Sequence, residues 1–331
     1  MRDAKFTIIC LTSALLTGCA SNQGGSNWFT PKSSGVDSYV QGANAMDAGD
    51  KQRAVAALQR SIQQNPELIT PRIMLGGVYR SDGDYQSALT QYQTLVKLDP
   101  YTASNHYYLG LCYQLLDRLQ DAANSYQQAL KLKPNDADAN MNLGLVYLAT
   151  GRLDDATQHT LAATKINPKS APAWANYAVT LDAIGDYTNA ESAYRRSLEL
   201  DSSQPTTLLN LATNLVLQNR GGDAIPLFEQ GLKQEDSALG RKRYGDALSQ
   251  VKRYDDAIRQ YDAALKLNPR YFPVFNEMGK AFIALYRAGY ELDDSQRQSA
   301  VAAWRKGLEI NPNQPDTQAL IDQWSKQPLS H

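Results

Sequence analysis

Catalysis and metal binding usually depend on cysteine, histidine or paired polar residues at recognisable spacings. The sequence has three cysteines and three histidines among 331 residues. None of the histidines (His106, His159 and His331) has a second metal ligand at the spacing of a helical or zinc-finger site. The sequence also lacks G-x-S-x-G, Walker, H-E-x-x-H and C-x-x-C motifs. We therefore predict that the protein is not an enzyme, has no catalytic or metal-binding residues and takes no small-molecule substrate.

The N-terminal segment has the pattern of an export signal that ends at a cysteine. Arg2 and Lys5 supply positive charge, and the apolar residues 6–16 follow. This stretch is too short for a transmembrane helix, which needs about 20 residues, but it suits a signal peptide. Residues 16–19, Leu-Thr-Gly-Cys, resemble the lipobox of bacterial lipoproteins. The alternative is an ordinary secreted protein that is cut nearby and has an incidental cysteine.

The lipoprotein resemblance implies where the mature chain begins and how it is held. In that family the signal peptide, here residues 1–18, is removed and Cys19 is acylated. Ala20 and Ser21 follow without an aspartate, which favours the outer membrane in Gram-negative bacteria. Residues 19–34 are rich in glycine, serine and asparagine and are predicted to form a flexible tether. We expect a lipid anchor in the outer membrane, facing the periplasm, and no cofactor apart from the covalent lipid on Cys19.

Charge and cysteine count exclude further classes of partner and of cross-link. The formal net charge is −1, and it becomes −2 without residues 1–18, whose own net charge is +1. So weak a charge gives no electrostatic basis for binding nucleic acid. Because Cys10 lies in the signal peptide and Cys19 is expected to be lipidated, Cys112 has no partner for a disulfide. We predict that it is a buried apolar side chain.

The remainder of the chain repeats every 34 residues. With each repeat numbered from position 1, small residues recur at positions 8 and 20, and aromatic residues recur at positions 11 and 24. Proline recurs at position 32, in Pro66, Pro100, Pro134, Pro168, Pro269 and Pro312. Glycine recurs at position 8, in Gly42, Gly76, Gly110, Gly144, Gly245 and Gly279. This pattern resembles the tetratricopeptide repeat, and the resemblance covers residues 35–314.

The tetratricopeptide resemblance implies an all-α fold, a right-handed solenoid of antiparallel helix pairs with a long concave surface. Small residues at positions 8 and 20 let the two helices of a pair approach closely. Glycine at position 15, or asparagine in the case of Asn219, can close the first helix in the left-handed conformation. The predicted repeats are 35–68, 69–102, 103–136, 137–170, 171–204, 205–237, 238–271 and 272–314.

The C-terminal part of the repeat array departs from the regular pattern. The eighth repeat has nine extra residues between its helices, around residues 286–299. These extra residues predict either a longer first helix followed by a polar loop or a protrusion that binds a partner. Residues 315–331 are predicted to form a capping helix and a polar tail.

The concave surface is the expected binding site, and its asparagines are the first candidates. Asn142, Asn176 and Asn210 all occupy position 6, spaced 34 residues apart. A ladder of amides can both donate to and accept from the peptide units of an extended chain without reading its sequence. Asparagine is also the ordinary residue of the family at this position, so a purely structural role is the alternative.

Charged residues replace this ladder towards the C-terminus. Position 6 becomes Arg243, flanked by Arg241 and Lys242, and then Glu277, with Lys280 nearby at position 9. These residues predict either a basic pocket for an acidic partner segment or an ordinary solvated cluster of charges.

Together these features predict an interaction protein whose partners are proteins or extended peptide segments. The first hypothesis is a membrane-anchored scaffold for a pilus, secretion or export machine, the role that similar repeat lipoproteins serve. A periplasmic holdase that grips extended polypeptides through the asparagine ladder is the second hypothesis. An adaptor that recruits peptidoglycan hydrolases is the third.

Overall fold

The computed structural model describes residues 34–289 and 293–326, so Cys19 and the predicted signal peptide and tether lie outside the described residues. The described residues form seventeen α-helices: α1 (Val36–Asp47), α2 (Lys51–Gln64), α3 (Ile69–Ser81), α4 (Tyr85–Leu98), α5 (Ala103–Leu115), α6 (Leu119–Leu132), α7 (Ala137–Ala149), α8 (Leu153–Ile166), α9 (Ala171–Ala183), α10 (Tyr187–Leu200), α11 (Pro205–Leu217), α12 (Gly221–Gln234), α13 (Ala238–Gln250), α14 (Tyr254–Leu267), α15 (Phe272–Ala288), α16 (Asp294–Ile310) and α17 (Pro315–Trp324).

The helices belong to two compact units, which divide between Lys169 and Ser170. In each unit the helices pack in chain order as pairs, for example α5 with α6 in the first unit and α15 with α16 in the second. We call the first helix of a pair its A helix and the second its B helix. The prediction of an all-α fold built from helix pairs is confirmed. Within the described part of the chain, no helix is both long enough and apolar enough to cross a membrane.

The turn inside each pair depends on one residue in the left-handed conformation. Gly49, Gly83, Gly151 and Gly185, all at position 15, have φ values between 74° and 82°, and Asn219 has a φ of 60°, as predicted. Asp117 and Lys252 adopt the same conformation at this position, with φ values of 59° and 61°. A Cβ atom makes this conformation less favourable, because it lies close to the following carbonyl oxygen. The turn is therefore imposed by the packing of the two helices even where glycine is absent.

Close packing of the two helices explains the glycines at position 8. A Cβ atom built on Gly76 would lie 2.9 Å from the Tyr92 ring, and one on Gly110 would lie 2.8 Å from the Tyr126 ring. Both rings are buried at position 24 of the B helix. The pairing of glycine with a large side chain therefore brings A and B helices into contact, as the sequence predicts.

Gly76 and its neighbour Gly77 provide a matched test of this packing within α3. Gly76→Ala should destabilise the protein by about 1–3 kcal/mol, because the new methyl group collides with the Tyr92 ring. Gly77→Ala should stabilise it by about 1 kcal/mol, because no atom lies within 4 Å of the new methyl group and alanine favours helix more than glycine does. Urea unfolding of both variants measures the difference. Two changes of the same sign would contradict the packing argument.

The eighth pair has the longer first helix that the sequence predicts. Its helices α15 and α16 each contain 17 residues, against 13 in α13 and 14 in α14. Most of residues 286–299 therefore continue the two helices, and residues 290–292 lie outside the described residues. The added turns contain alanine, arginine and glutamine, which favour helix. The longer first helix is thus confirmed, and the polar loop expected after it stays a prediction.

The last helix covers the end of the second unit. Helix α17 packs on α16, where Ile321 joins a buried cluster with Ile283 and Trp304. The guanidinium of Arg297, which is buried, binds the Asp294 carboxylate and donates to a backbone carbonyl at the end of α17. This arginine therefore connects the added turn of α16 to the C-terminal helix.

Candidate functional site

The A helices of successive pairs contact one another inside each unit. Helix α5 contacts α7 in the first unit, and α9, α11, α13 and α15 form a row of contacts in the second. We call the surface that the A helices of a unit present its A-face; these helices are α1, α3, α5 and α7 in the first unit and α9, α11, α13 and α15 in the second. The tetratricopeptide resemblance assigns positions 2, 5, 6, 9 and 12 to this surface.

The three asparagines at position 6 lie on the A-face, but they are buried. Asn142 is 5% exposed, Asn176 4% and Asn210 6%. The Asn142 amide donates to the hydroxyl of Tyr107, a residue of the preceding A helix, over 3.1 Å. The expectation of an open ladder of amides is therefore corrected, because all three side chains are buried and the Asn142 amide is engaged by a side chain of the adjacent A helix. Peptide binding through these amides remains a prediction.

The first unit has a cavity of about 410 Å³ on its A-face. Two adjacent tyrosines, Tyr107 and Tyr108, form part of its wall, with ring centroids 5.2 Å apart in an edge-to-face arrangement. Tyr108 also stacks on Tyr92 at 5.4 Å. The remaining residues of the wall are Thr102, Ala103, Ser104, Lys133, Asp136 and Asp138. This combination of rings and carboxylates was not recognised in the sequence, although the Tyr-Tyr pair at positions 5 and 6 could have indicated it.

The predicted basic pocket in the second unit is neutralised by its own carboxylates. Lys242 Nζ lies 2.7 Å from an Asp246 oxygen, and Lys280 Nζ lies 2.9 Å from a Glu277 oxygen. Burial lowers the pKa of Lys242, but the charge and hydrogen bond of Asp246 outweigh burial and raise it overall. All four side chains line a cavity of about 530 Å³. Two cations matched by two carboxylates do not make a basic pocket, so that prediction is wrong for Lys242 and Lys280.

The two arginines beside Lys242 are also engaged. Arg241 forms an ion pair with Asp236 at 2.7 Å and also donates to Gln260 over 2.9 Å. Arg243 donates to the Thr213 hydroxyl over 3.2 Å, and burial lowers the pKa of its guanidinium. The structure therefore uses these arginines to connect elements of the second unit.

Position 4 has a structural role that the sequence interpretation missed. Arg72 and Asn140 each donate from this position to the carbonyl of a proline six residues earlier. The Nε2 atom of His106 lies 2.9 Å from the Pro100 carbonyl oxygen in the same arrangement. This contact explains why polar side chains occur at this position, and it gives His106 a structural role. The available signal was the hydrogen-bonding residue six positions after Pro66, Pro100 and Pro134.

A buried carboxylate, Asp182, is the centre of a network that sequence reasoning also missed. Its oxygens accept hydrogen bonds from Asn214 Nδ2 over 2.6 Å and from the Tyr194 hydroxyl over 2.7 Å. Burial raises the pKa of the Asp182 carboxyl to about 6, although both hydrogen bonds and the charge of Arg243 oppose the shift. The hydrogen bonds of this network join two successive pairs of the second unit, α9–α10 and α11–α12.

Neither a reactive thiol nor a metal-binding cluster is found among the described residues. Cys112 is fully buried, as predicted, and burial raises the pKa of its thiol to about 12. Across residues 34–289 and 293–326, no group of three or more histidine, cysteine, aspartate or glutamate side chains could hold a metal ion.

Sequence comparison matches more than half of the chain to tetratricopeptide repeat models. Models described as "Tetratricopeptide repeat" match residues 116–171 and 209–272, and residues 171–204. A model described as "TPR repeat" matches residues 76–117. No curated protein matches this sequence.

Solved structures are similar in fold at low sequence identity. A chain of the APC/C hetero-tetramer Cut9-Hcn1 has a TM-score of 0.63 and 15% identity, and the match covers 85% of this chain and 55% of that chain. A tetratricopeptide repeat protein from Parabacteroides merdae has a TM-score of 0.59 and 18% identity, covering 75% and 98%. PilF of Pseudomonas aeruginosa has a TM-score of 0.54 and 20% identity, covering 61% and 92%. At these identities the similarity shows the fold alone.

Proposed function

Because this chain belongs to the tetratricopeptide repeat family, whose members generally mediate protein–protein interactions, we propose that it is a membrane-anchored scaffold. It binds a segment of a partner protein on the A-face and thereby assembles an envelope complex. One observation carries the proposal: a lipobox-like sequence at residues 16–19 precedes an array of helix pairs whose A-face has open, chemically varied cavities. The tether predicted from the composition of residues 19–34 is part of this proposal.

The envelope setting rests on the lipobox resemblance. A lipid on Cys19 places the helix pairs beside the outer membrane, facing the periplasm. Pilus, secretion and export machines are assembled from several proteins in that space, and similar repeat lipoproteins serve them. An adaptor for peptidoglycan hydrolases is a scaffold of the same kind, and the identity of the captured partner separates these cases.

Binding of one partner fits the A-face better than sequence-independent holding of many chains. A holdase needs repeated, accessible amides, but Asn142, Asn176 and Asn210 are buried. The accessible groups instead differ between the units: tyrosines with carboxylates in the first, and lysine–carboxylate pairs in the second. Such variation favours a partner segment with a defined sequence.

Site-specific photocrosslinking in cells tests the proposal. Ile73 lies at position 5 of α3 and is 43% exposed, so a benzoylphenylalanine at this position reports on the A-face of the first unit. Lys280, whose side chain is 57% exposed, serves the second unit. Thr90, which is exposed on the B helix α4, is the matched control. We expect one dominant envelope protein to be captured through one segment at Ile73, at Lys280 or at both, and not at Thr90.

The other outcomes contradict the proposal in different ways. Capture of many exported proteins at Ile73 and Lys280 would favour the holdase. Equal capture at Thr90 would show that the A-face is not the binding surface. Absence of capture from a folded, abundant protein would overturn binding on the A-face.

A further inference from the structure

The cavity on the A-face of the first unit has a wall suited to a flat cation. Tyr107 and Tyr108 present two rings at its side. Aromatic rings attract cations through their negative faces, and a guanidinium can stack on them. The same cluster already shows this chemistry, since the Arg80 guanidinium lies 5.2 Å from the centre of the Tyr108 ring. Arg80 is not among the residues that line the cavity.

One of the two carboxylates in the cavity, that of Asp136, already has partners within the chain. Asp136 is the N-cap residue of helix α7, and its Oδ1 atom accepts a hydrogen bond from the backbone N–H of Ala139 over 3.0 Å. Its Oδ2 atom lies 2.8 Å from Lys133 Nζ. The charges of Asp136 and Lys133 therefore offset each other and leave little capacity for a ligand.

The other carboxylate, that of Asp138, remains available. Asp138 lies in the first turn of α7, and within the described part of the chain no ion pair or hydrogen bond engages its carboxylate. Asp138 is exposed at the cavity. Partial desolvation and the nearby charge of Asp136 raise the pKa of its carboxyl, whereas Lys133 acts in the opposite direction. Because this carboxylate is exposed and has no ion-pair partner among the described residues, a cation from outside the chain can bind it. The cavity thus has an unmatched negative charge beside two aromatic rings.

An acidic side chain at position 2 next to a repeat with adjacent tyrosines at positions 5 and 6 occurs only where the third and fourth repeats meet. Position 2 is acidic only in the fourth repeat, at Asp138, and is threonine, serine, proline, leucine or valine in the others. Adjacent tyrosines at positions 5 and 6 occur only in the third repeat, at Tyr107 and Tyr108. The general requirements of helix pairing do not explain these residues, because the other repeats form their pairs without them.

We propose that this cavity is a subsite for a guanidinium, the side chain of an arginine in the segment bound on the A-face. The guanidinium packs against Tyr107 and Tyr108 and donates hydrogen bonds to Asp138. The proposal rests on the proposed function, and it adds the chemistry of one residue of the partner: a basic side chain opposite the third and fourth repeats.

Binding of a small arginine derivative tests the subsite without the partner. The probes are Nα-acetyl-arginine amide and Nα-acetyl-citrulline amide, which share a shape but differ in charge. Ligand-detected NMR with the purified mature protein measures both affinities at low salt. We expect millimolar binding of the arginine probe and binding of the citrulline probe that is about tenfold weaker, since one charge-assisted hydrogen bond is worth about that factor.

Two matched variants locate the binding site of the probe. Asp138→Asn should weaken binding of the arginine probe about five- to tenfold, to the level of citrulline. Asp154→Asn removes the same charge from the first turn of α8, at an exposed position in the same repeat, and should leave binding unchanged. Circular dichroism confirms that both variants are folded.

Each opposite result overturns the subsite. Equal binding of the arginine and citrulline probes would show that the site does not distinguish a charged ligand from a neutral one. Unchanged binding in Asp138→Asn, or equal loss in Asp154→Asn, would place the cation elsewhere. Capture of a single partner from Ile73 together with either result would leave the scaffold intact and remove only the arginine subsite. Specific binding of the arginine probe without any captured partner would support the subsite and contradict the scaffold.

Discussion

Cys19→Ser should release the protein from membranes and abolish its labelling by fatty acid. The lipobox resemblance makes the Cys19 thiol the group that receives the lipid, and serine lacks that thiol. Burial of acyl chains in the bilayer contributes about 0.8 kcal/mol per CH₂ group, so the loss of all chains removes the whole anchor. Growth with labelled palmitate, followed by fractionation into membrane and released protein, measures both effects.

Cys10→Ser is the control for this experiment. It makes the same substitution nine residues earlier, within the apolar stretch of residues 6–16. Labelling and membrane attachment should persist in this variant. Continued labelling of the Cys19→Ser protein would contradict the lipobox interpretation, and membrane attachment without label would point to a different anchor.

Much of the fold could be predicted because a repeat multiplies each local signal. One glycine at position 8 or 15 is weak information, but Gly49, Gly83, Gly151 and Gly185 at one spacing indicate a turn that recurs. The left-handed conformation at these four positions follows from the turn. Proline at position 32 adds the end of six of the eight B helices. Local periodicity therefore predicts helices, turns and the contact between A and B helices.

The site was harder to predict because a position in the repeat indicates a face but not the neighbours of a side chain. Asn142 lies on the predicted face, yet Tyr107 of the preceding pair covers it. Lys242 appeared free, although Asp246 four residues later on the same helix is the spacing of an ion pair. That second pairing could have been found from the sequence, whereas the first depends on how adjacent pairs stack.

The Asp182 network illustrates what remains out of reach of the sequence. Asp182 and Asn214 are 32 residues apart and occupy neither the same position nor a signature position of the repeat. Their contact depends on the packing of adjacent A helices, α9 and α11. Burial of the carboxylate follows from that packing, and so does its altered ionisation.

The ionisation of Asp182 should make stability depend on pH. The folded-state pKa of about 6 lies above the ordinary value of 3.8, so the folded protein holds this proton more tightly than the unfolded chain does. Stability from this group is therefore full below about pH 4 and is lost as the pH rises through 6. A shift of about two pKa units corresponds to about 3 kcal/mol in total.

Comparison with Asp182→Asn isolates this contribution. The asparagine does not ionise, so any fixed cost from its altered hydrogen bonds to Tyr194 and Asn214 is the same at each pH. The free energy of unfolding of the wild type, minus that of the variant, should rise by about 2 kcal/mol between pH 8 and pH 4.5. Urea unfolding at both pH values gives this difference, and other titrating carboxylates cancel because both proteins contain them.

The exposed Asp154 provides the matched control for the loss of a carboxylate. Asp154→Asn changes the net charge by the same amount but removes no buried carboxylate, so its difference from the wild type should change far less between pH 8 and pH 4.5. If the free energy of unfolding of the wild type minus that of Asp182→Asn stays constant with pH, the carboxylate is ionised at little cost in the folded state. A difference that falls towards low pH would mean that the hydrogen bonds from Asn214 and Tyr194 outweigh burial, because the folded-state pKa would then lie below 3.8.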